Sequence, residues 1–164
     1  MRVVVCDTGP VLHLSEASAL GLLERTGEVL IPPIVDGEIA RHVENWTSQR
    51  PSWLRVESPQ HPPAEQLEQW AAQIDLGAGE LEAIVLAKSR AADWLLTDDA
   101  AARVVATLLA IEVHGSLGVV LWAAAQTHIS RREAGEILDR LAVSSLWIGP
   151  AILSEARRAL AVLS

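Results

Sequence analysis

Apolar residues in this chain fall into short unbroken blocks separated by longer stretches with helical spacing. Val3-Val4-Val5-Cys6 opens the pattern. A β-branched run of this kind predicts a strand buried on both faces, as in a parallel sheet. It leads straight into Asp7-Thr8-Gly9-Pro10, and Pro10 suits the first turn of a helix, where its missing N–H costs nothing. Val11, Leu12 and Leu14, then Leu20, Leu22 and Leu23, predict one helix broken near Ser15–Ser18 or two short ones, ending at Thr26-Gly27. Glu28-Val29-Leu30-Ile31 predicts a second buried strand, stopped by Pro32-Pro33. A helix follows, with Ile34, Val35, Ile39 and Val43 at roughly helical spacing.

The polar, Pro-containing stretch from Asn45 to Pro63 is the least regular. Trp53-Leu54-Arg55-Val56-Glu57 alternates within it like a short strand or extended segment, and the stretch as a whole is expected to be a loop or arm. Ala64 to Gln73 predicts a helix, broken by Leu76-Gly77-Ala78-Gly79. A new helix starts at about Glu80, its core face made by Leu81, Ile84, Val85 and the stem of Lys88. Trp94-Leu95-Leu96-Thr97 predicts a strand ending in Asp98-Asp99. A helix over 100–110, a short strand Ile111-Glu112-Val113 and a helix from Gly115-Ser116 through Ala125 come next. Ser130, with Glu133 three residues on, has the capping-box pattern of a further helix, and the last runs from about Pro150 to Leu163. Strands alternating with helices predict a three-layer α/β/α sandwich around a mainly parallel sheet. The expected domain is single, over 1–164, with a core at about 2–125 and extra C-terminal helices at about 130–163.

Composition changes this picture in two ways. With 164 residues the chain can bury a sizeable core, and no apolar run approaches the roughly 18 residues that span a bilayer. No basic segment followed by an apolar run and cleavage site marks a secretory signal, and one cysteine gives no disulfide framework, so a cytoplasmic protein with no membrane association is expected. A net charge of −8 argues against a broad basic face for nucleic acid, although metal ions in an acidic cluster can supply the phosphate-binding charge. The chain has six Trp but neither Phe nor Tyr, and core filling is the one physical account of that bias.

The candidate chemistry is carboxylate chemistry. In open α/β sheets, ligands bind at the carboxyl ends of the strands, where Asp7, Asp98 and Asp99 fall. Glu38 lies one turn into the helix after the second strand, and Glu80 and Glu82 begin the helix after the Gly-rich break. Crowded carboxylates repel one another, and a hard cation such as Mg²⁺ or Mn²⁺ makes such a cluster tolerable. Such an ion leaves positions for a phosphate oxygen and an attacking hydroxide, the arrangement of a phosphodiesterase or nuclease. Each acid also has a plain structural reading. Asp7 can cap the following turn, Glu38 can pair with Arg41, and Asp98 or Asp99 can cap the next helix. Glu80 and Glu82 suit a helix N-terminus without any function, and they point about 200° apart around it.

Other features carry less. The five histidines have no zinc-like spacing, Ser116 near His114 lacks a nucleophile-elbow motif, and Gly77-Ala78-Gly79 lacks the Lys-Ser/Thr of a P-loop. Arg131-Arg132 and Arg157-Arg158 read as solvated helix faces. Trp46 and Trp53 can stack on bases or cover the core, and core is the favoured reading. Ile137, Leu138, Leu141, Leu153, Leu160 and Leu163 exceed what one small sheet needs, which predicts burial by a second copy or another chain.

Five motifs in order resemble those of PIN-domain proteins, in the VapC-like group related to toxins of toxin–antitoxin systems. They are Val-Val-Cys-Asp7-Thr8-Gly-Pro-Val-Leu-His-Leu and the segment from Glu28 to Ile39, with its strand, Pro and Val35-x-x-Glu38. Leu76-Gly-Ala-Gly-Glu80-Leu-Glu82-Ala-Ile, Leu95-Leu-Thr97-Asp98-Asp99 and His114-Gly-Ser-Leu-Gly118 complete the set, spread over about residues 2–125. The resemblance implies a ribonuclease acting on single-stranded RNA and a toxin inhibited by a cognate antitoxin; the homodimer is expected from the apolar C-terminal residues instead. The resemblance also implies Mg²⁺ or Mn²⁺ held by Asp7, Glu38, Asp99 and either Glu80 or Glu82. Asp99 is favoured over Asp98 because it lies two residues after Thr97, and Thr8 and Thr97 would orient the acids. Gly9 stands where the family commonly has Ser, and Glu where the helix-start acid is more usually Asp. The rival reading is a binding module that keeps the fold with weakened chemistry.

Overall fold

The structure is a computed structural model that describes residues 1–163. Its centre is β1 (Val3–Cys6), flanked on one side by β2 (Glu28–Ile31) and on the other by β4 (Trp94–Leu96). The edges are β3 (Leu54–Val56) and β5 (Val113–His114), giving the order β3-β2-β1-β4-β5 with every pairing parallel. Alternating side chains of these strands feed two cores. Val4, Cys6, Val29, Ile31 and Leu96 face one way, whereas Val5, Leu30 and Leu95 face the other. Two-sided burial is why the strands read as unbroken apolar blocks.

Helices α4 (Glu65–Gln73), α5 (Ala78–Ser89) and α6 (Ala100–Leu108) cover the second face. On the first lie α1 (Thr8–Glu16), the 3₁₀ segment Leu20–Thr26, α2 (Pro33–His42), the single turn α3 (Trp46–Gln49) and α7 (Ser116–Ala125). The last helices, α8 (Arg131–Ala142) and α9 (Pro150–Ala161), join the same layer. The break expected near Ser15–Ser18 is real, with Ser18 in the left-handed region at φ 55°. Gly27, at φ 147°, turns the chain into β2 close against the carbonyl of Arg2, where a side chain would collide. The capping box at Ser130 forms as its sequence predicts.

Four expectations need correction. The arm over 45–63 contains an edge strand, because Leu54 pairs beside Val29 and is buried; Arg55 and Val56 stay exposed, which is why its apolar signal is faint. The core face of α5 is Ala83 to Ala87, while Lys88 is exposed. The short fifth strand begins at Val113 rather than Ile111. Ile137, Leu138, Leu141 and Leu160 are buried inside the chain, packed with Leu14 and Leu23, rather than left for a second copy to cover, while Val143, Ile152 and Val162 stay exposed.

Candidate active site

Sheet register assembles the site. Cys6 pairs with Leu96 and Leu96 with His114, so the next residues, Asp7, Thr97 and Gly115, leave their strands side by side. Chain order also reverses at β1: β2 and β3 lie to one side, β4 and β5 to the other. The strands splay apart at such a switch point, which makes a crevice at their carboxyl ends. A cavity of about 340 Å³ occupies it, lined by Asp7, Thr8, Glu80, Asp98, Asp99 and Trp147 among others.

Asp7 is the buried member. It caps α1, one oxygen accepting from the Thr8 N–H at 2.8 Å and the other from Thr97 Oγ1 at 2.9 Å. Burial pushes its carboxyl up to about 7, with the charges of Glu80 and Glu38 adding to the shift and the bonds from Thr8 and Thr97 opposing it. Glu38 comes in from α2 and accepts from Thr8 Oγ1 at 2.5 Å, in place of the pairing with Arg41 that its spacing allowed. Gly79 makes room for it. A Cβ there would stand 2.6 Å from both carboxylate oxygens. Glu80, in the first turn of α5, is held above the ordinary carboxylate range by desolvation and by Asp99 and Glu38. Asp99 caps α6 through Ala102 N–H at 2.8 Å, and its own N–H donates to Thr97 Oγ1 at 3.1 Å. Thr8 and Thr97 thus each join two of the acidic positions.

Two candidates behave differently. Glu82 lies off the cavity, because its position on α5 turns it toward α2, where it accepts from the Ile34 N–H at 3.1 Å. Asp98 lines the cavity but has both oxygens engaged. Oδ1 accepts from Ser116 N–H at 2.7 Å, and Oδ2 meets Ser116 Oγ at 2.6 Å and His13 Nδ1 at 2.7 Å. Burial opposes its charge, yet the bonds from His13 and Ser116 hold its carboxyl below the usual range. It therefore ties α1, β4 and α7 together. Trp46 is buried with its N–H on Asp36, and Trp53 packs on the core, as the core reading favoured.

Sequence reasoning missed His13, Ser116 and Trp147. His13 lies 85 positions from Asp98, a distance no local pattern spans. Trp147 sits in the connection after α8, far along the chain from every acid, and a lone Trp between two helices carries no positional signal.

The acids Asp7, Glu38, Glu80 and Asp99 are the oxygen donors that hard divalent cations prefer. Among the described residues, no three His, Cys, Asp or Glu side chains form a metal-holding group as they lie. Glu38 is turned onto Thr8, and Glu80 folds back over Gly77, where its carboxylate fills the space a Cβ would need. The donor chemistry fits a divalent ion, and among the residues lining the cavity the one basic side chain, His13, is engaged by Asp98.

A parallel α/β sandwich with an acidic cleft at its switch point is the class of protein that fold and site define. A family model described as a PIN domain, DUF3368, matches residues 3–161, and the chain belongs to that family, whose members are generally nucleases. No curated protein matches the chain.

Proposed function

We propose that this protein is a metal-dependent endoribonuclease that hydrolyses phosphodiesters of single-stranded RNA. The observation that carries the reading is the convergence of Asp7, Glu80 and Asp99 on one cleft, with Glu38 joined to it through Thr8. Asp7, Glu38, Glu80 and Asp99 would hold Mg²⁺ or Mn²⁺, which when bound supplies an activated water and neutralises charge on the phosphate. Thr97 fixes the rotamer of Asp7, and Thr8 aims Glu38 by hydrogen bonding. The two helix N-termini capped by Asp7 and Asp99 direct N–H groups toward the cleft, which tempers the repulsion among the acids.

The same reading makes the chain the toxin of a toxin–antitoxin pair acting in the cytoplasm, restrained by an antitoxin segment and working as a homodimer. Among the described residues no helix is long and apolar enough to cross a membrane. Val104 and Leu108, one turn apart on α6 and both exposed, are apolar surface available to such a partner.

The deciding experiment is cleavage of labelled single-stranded RNA in Mn²⁺, Mg²⁺ or EDTA by wild type and Asp7→Asn. Asn is nearly isosteric and keeps a hydrogen-bond acceptor for Thr97, so the variant folds. Cleavage that requires metal and falls at least about 100-fold in the variant supports the reading. A folded wild type inert on varied RNAs in both metals overturns it in favour of a binding module.

A further inference from the structure

Trp147 is 86% exposed, although it lies in a connection that is tethered on both sides. Ser145 donates through its N–H at 2.8 Å and its hydroxyl at 2.5 Å to the Glu16 carboxylate at the end of α1. Leu146 and Ile148 pack onto the core. The loop is fixed, then, while its largest apolar side chain is left in water, a cost that folding alone does not offset. The indole lines the acidic cleft and also a second cavity of about 190 Å³, which shares Asp98 and Leu146 with the first. That second cavity holds Arg103 beside the apolar side chains of Leu117 and Ile152. Among the described residues Arg103 makes no direct ion pair; its guanidinium faces the Asp98 carboxylate across Gly115, and both oxygens of that carboxylate are already taken by Ser116 and His13. Gly115 leaves the room: a Cβ there would collide with the Arg103 guanidinium and the Asp98 carboxylate.

We propose that the Trp147–Arg103 slot is a nucleotide subsite, in which a base of single-stranded RNA stacks on Trp147 and an adjoining phosphate meets Arg103. A flat aromatic face accepts any base, and a guanidinium matches phosphate geometry, so the pair recognises a strand without reading its sequence. A guanidinium at the rim of an acidic cleft also gives a polyanion a point of entry that the net charge of −8 otherwise denies it. The cleft and slot share a wall, so a strand seated in the slot presents a neighbouring phosphodiester to the acids. The nature of the ligand rests on the nuclease reading above.

The test measures binding of a short fluorescent single-stranded RNA by anisotropy in the Asp7→Asn background, alongside cleavage of the same RNA by otherwise wild-type chains. Trp147→Ala weakens binding about 5- to 150-fold, the range for loss of one base stack. Trp147→Phe retains most of the affinity, because a phenyl ring still stacks. Removing one base from the RNA weakens binding to the parent at one position and adds nothing in Trp147→Ala. Arg103→Gln weakens binding and makes it less salt-dependent. Equal affinity of Trp147→Ala and parent overturns the subsite even if wild type cleaves RNA. Unchanged RNA binding with a dimer converted to monomer assigns Trp147 to a protein interface instead, which also overturns it. RNA binding that depends on Trp147 in a chain whose wild type cleaves nothing supports the subsite and removes the nuclease reading. No RNA binding by the parent removes the subsite, and together with a wild type that cleaves nothing it removes the nuclease reading too.

Discussion

Asp7 concentrates the electrostatic tension of the molecule. Its carboxyl is raised from 3.8 to about 7, so between those values the folded chain binds a proton that the unfolded chain releases. In the metal-free protein this group's contribution to stability is full below the unfolded value and is lost as pH rises through the folded one. Thermal unfolding in EDTA should therefore show stability falling between about pH 4 and pH 7 by a few kcal/mol, with Asp7→Asn flattening that slope. A wild-type slope identical to that of Asp7→Asn would remove the assignment. Asp98 has the opposite sign. Its lowered carboxyl contributes stability above the unfolded value, lost as pH falls through the folded one. Asp98→Ala leaves the Ser116 N–H and hydroxyl and His13 without their acceptor, and should cost about 3 kcal/mol or more in urea unfolding. A loss below about 1 kcal/mol would mean that water replaces the carboxylate readily.

At the scale of elements, α5 delivers Glu80 and also clears space for a residue of another helix. Gly79 lies inside α5, and Ala in its place gains helix propensity of about 1 kcal/mol. The new methyl would meet both Glu38 oxygens at 2.6 Å, and that flexible side chain is what yields. Gly79→Ala should keep or raise the melting temperature while lowering cleavage at least about tenfold, since a displaced carboxylate is mispositioned by about an ångström. Retained cleavage would show that Glu38 has no part in the chemistry. The element scale is also where the sequence was most legible. Uninterrupted valine and leucine blocks marked β1, β2 and β4, because two-sided burial leaves no polar position within them. β3 was legible only as the alternation of Trp53 to Glu57, because an edge strand of three residues with one buried side chain leaves almost no apolar signature.

For the whole molecule, the C-terminal helices complete one face of the sandwich. Leu138 on α8 is fully buried among residues of that layer, and Arg140 donates from α8 to the carbonyl of Ala17 at 2.7 Å. Leu138→Ala should destabilise by about 2 to 5 kcal/mol, the cost of a cavity in a packed core, in denaturant unfolding at more than one protein concentration. A cost that vanishes at low concentration would mean the residue serves an interface between copies. These helices also carry the connection that sets Trp147 over the cleft, so their packing reaches the site.

The sequence by itself determined the alternation of strands and helices, the caps, and the positions of Asp7, Glu38, Glu80, Asp98 and Asp99, because those depend on local periodicity and on residues at strand ends. Tertiary structure alone decided how the acids divide. Glu80 turns into the cleft and Glu82 onto the start of α2, and no spacing says which side of α5 will face β1. Asp98 became a strut rather than an open carboxylate because strand register brings Ser116 and His13 to it from remote parts of the chain. Register and helix rotation follow from the packing of the whole core, which is why the kinds of group in the cleft can be read along the chain while their roles cannot.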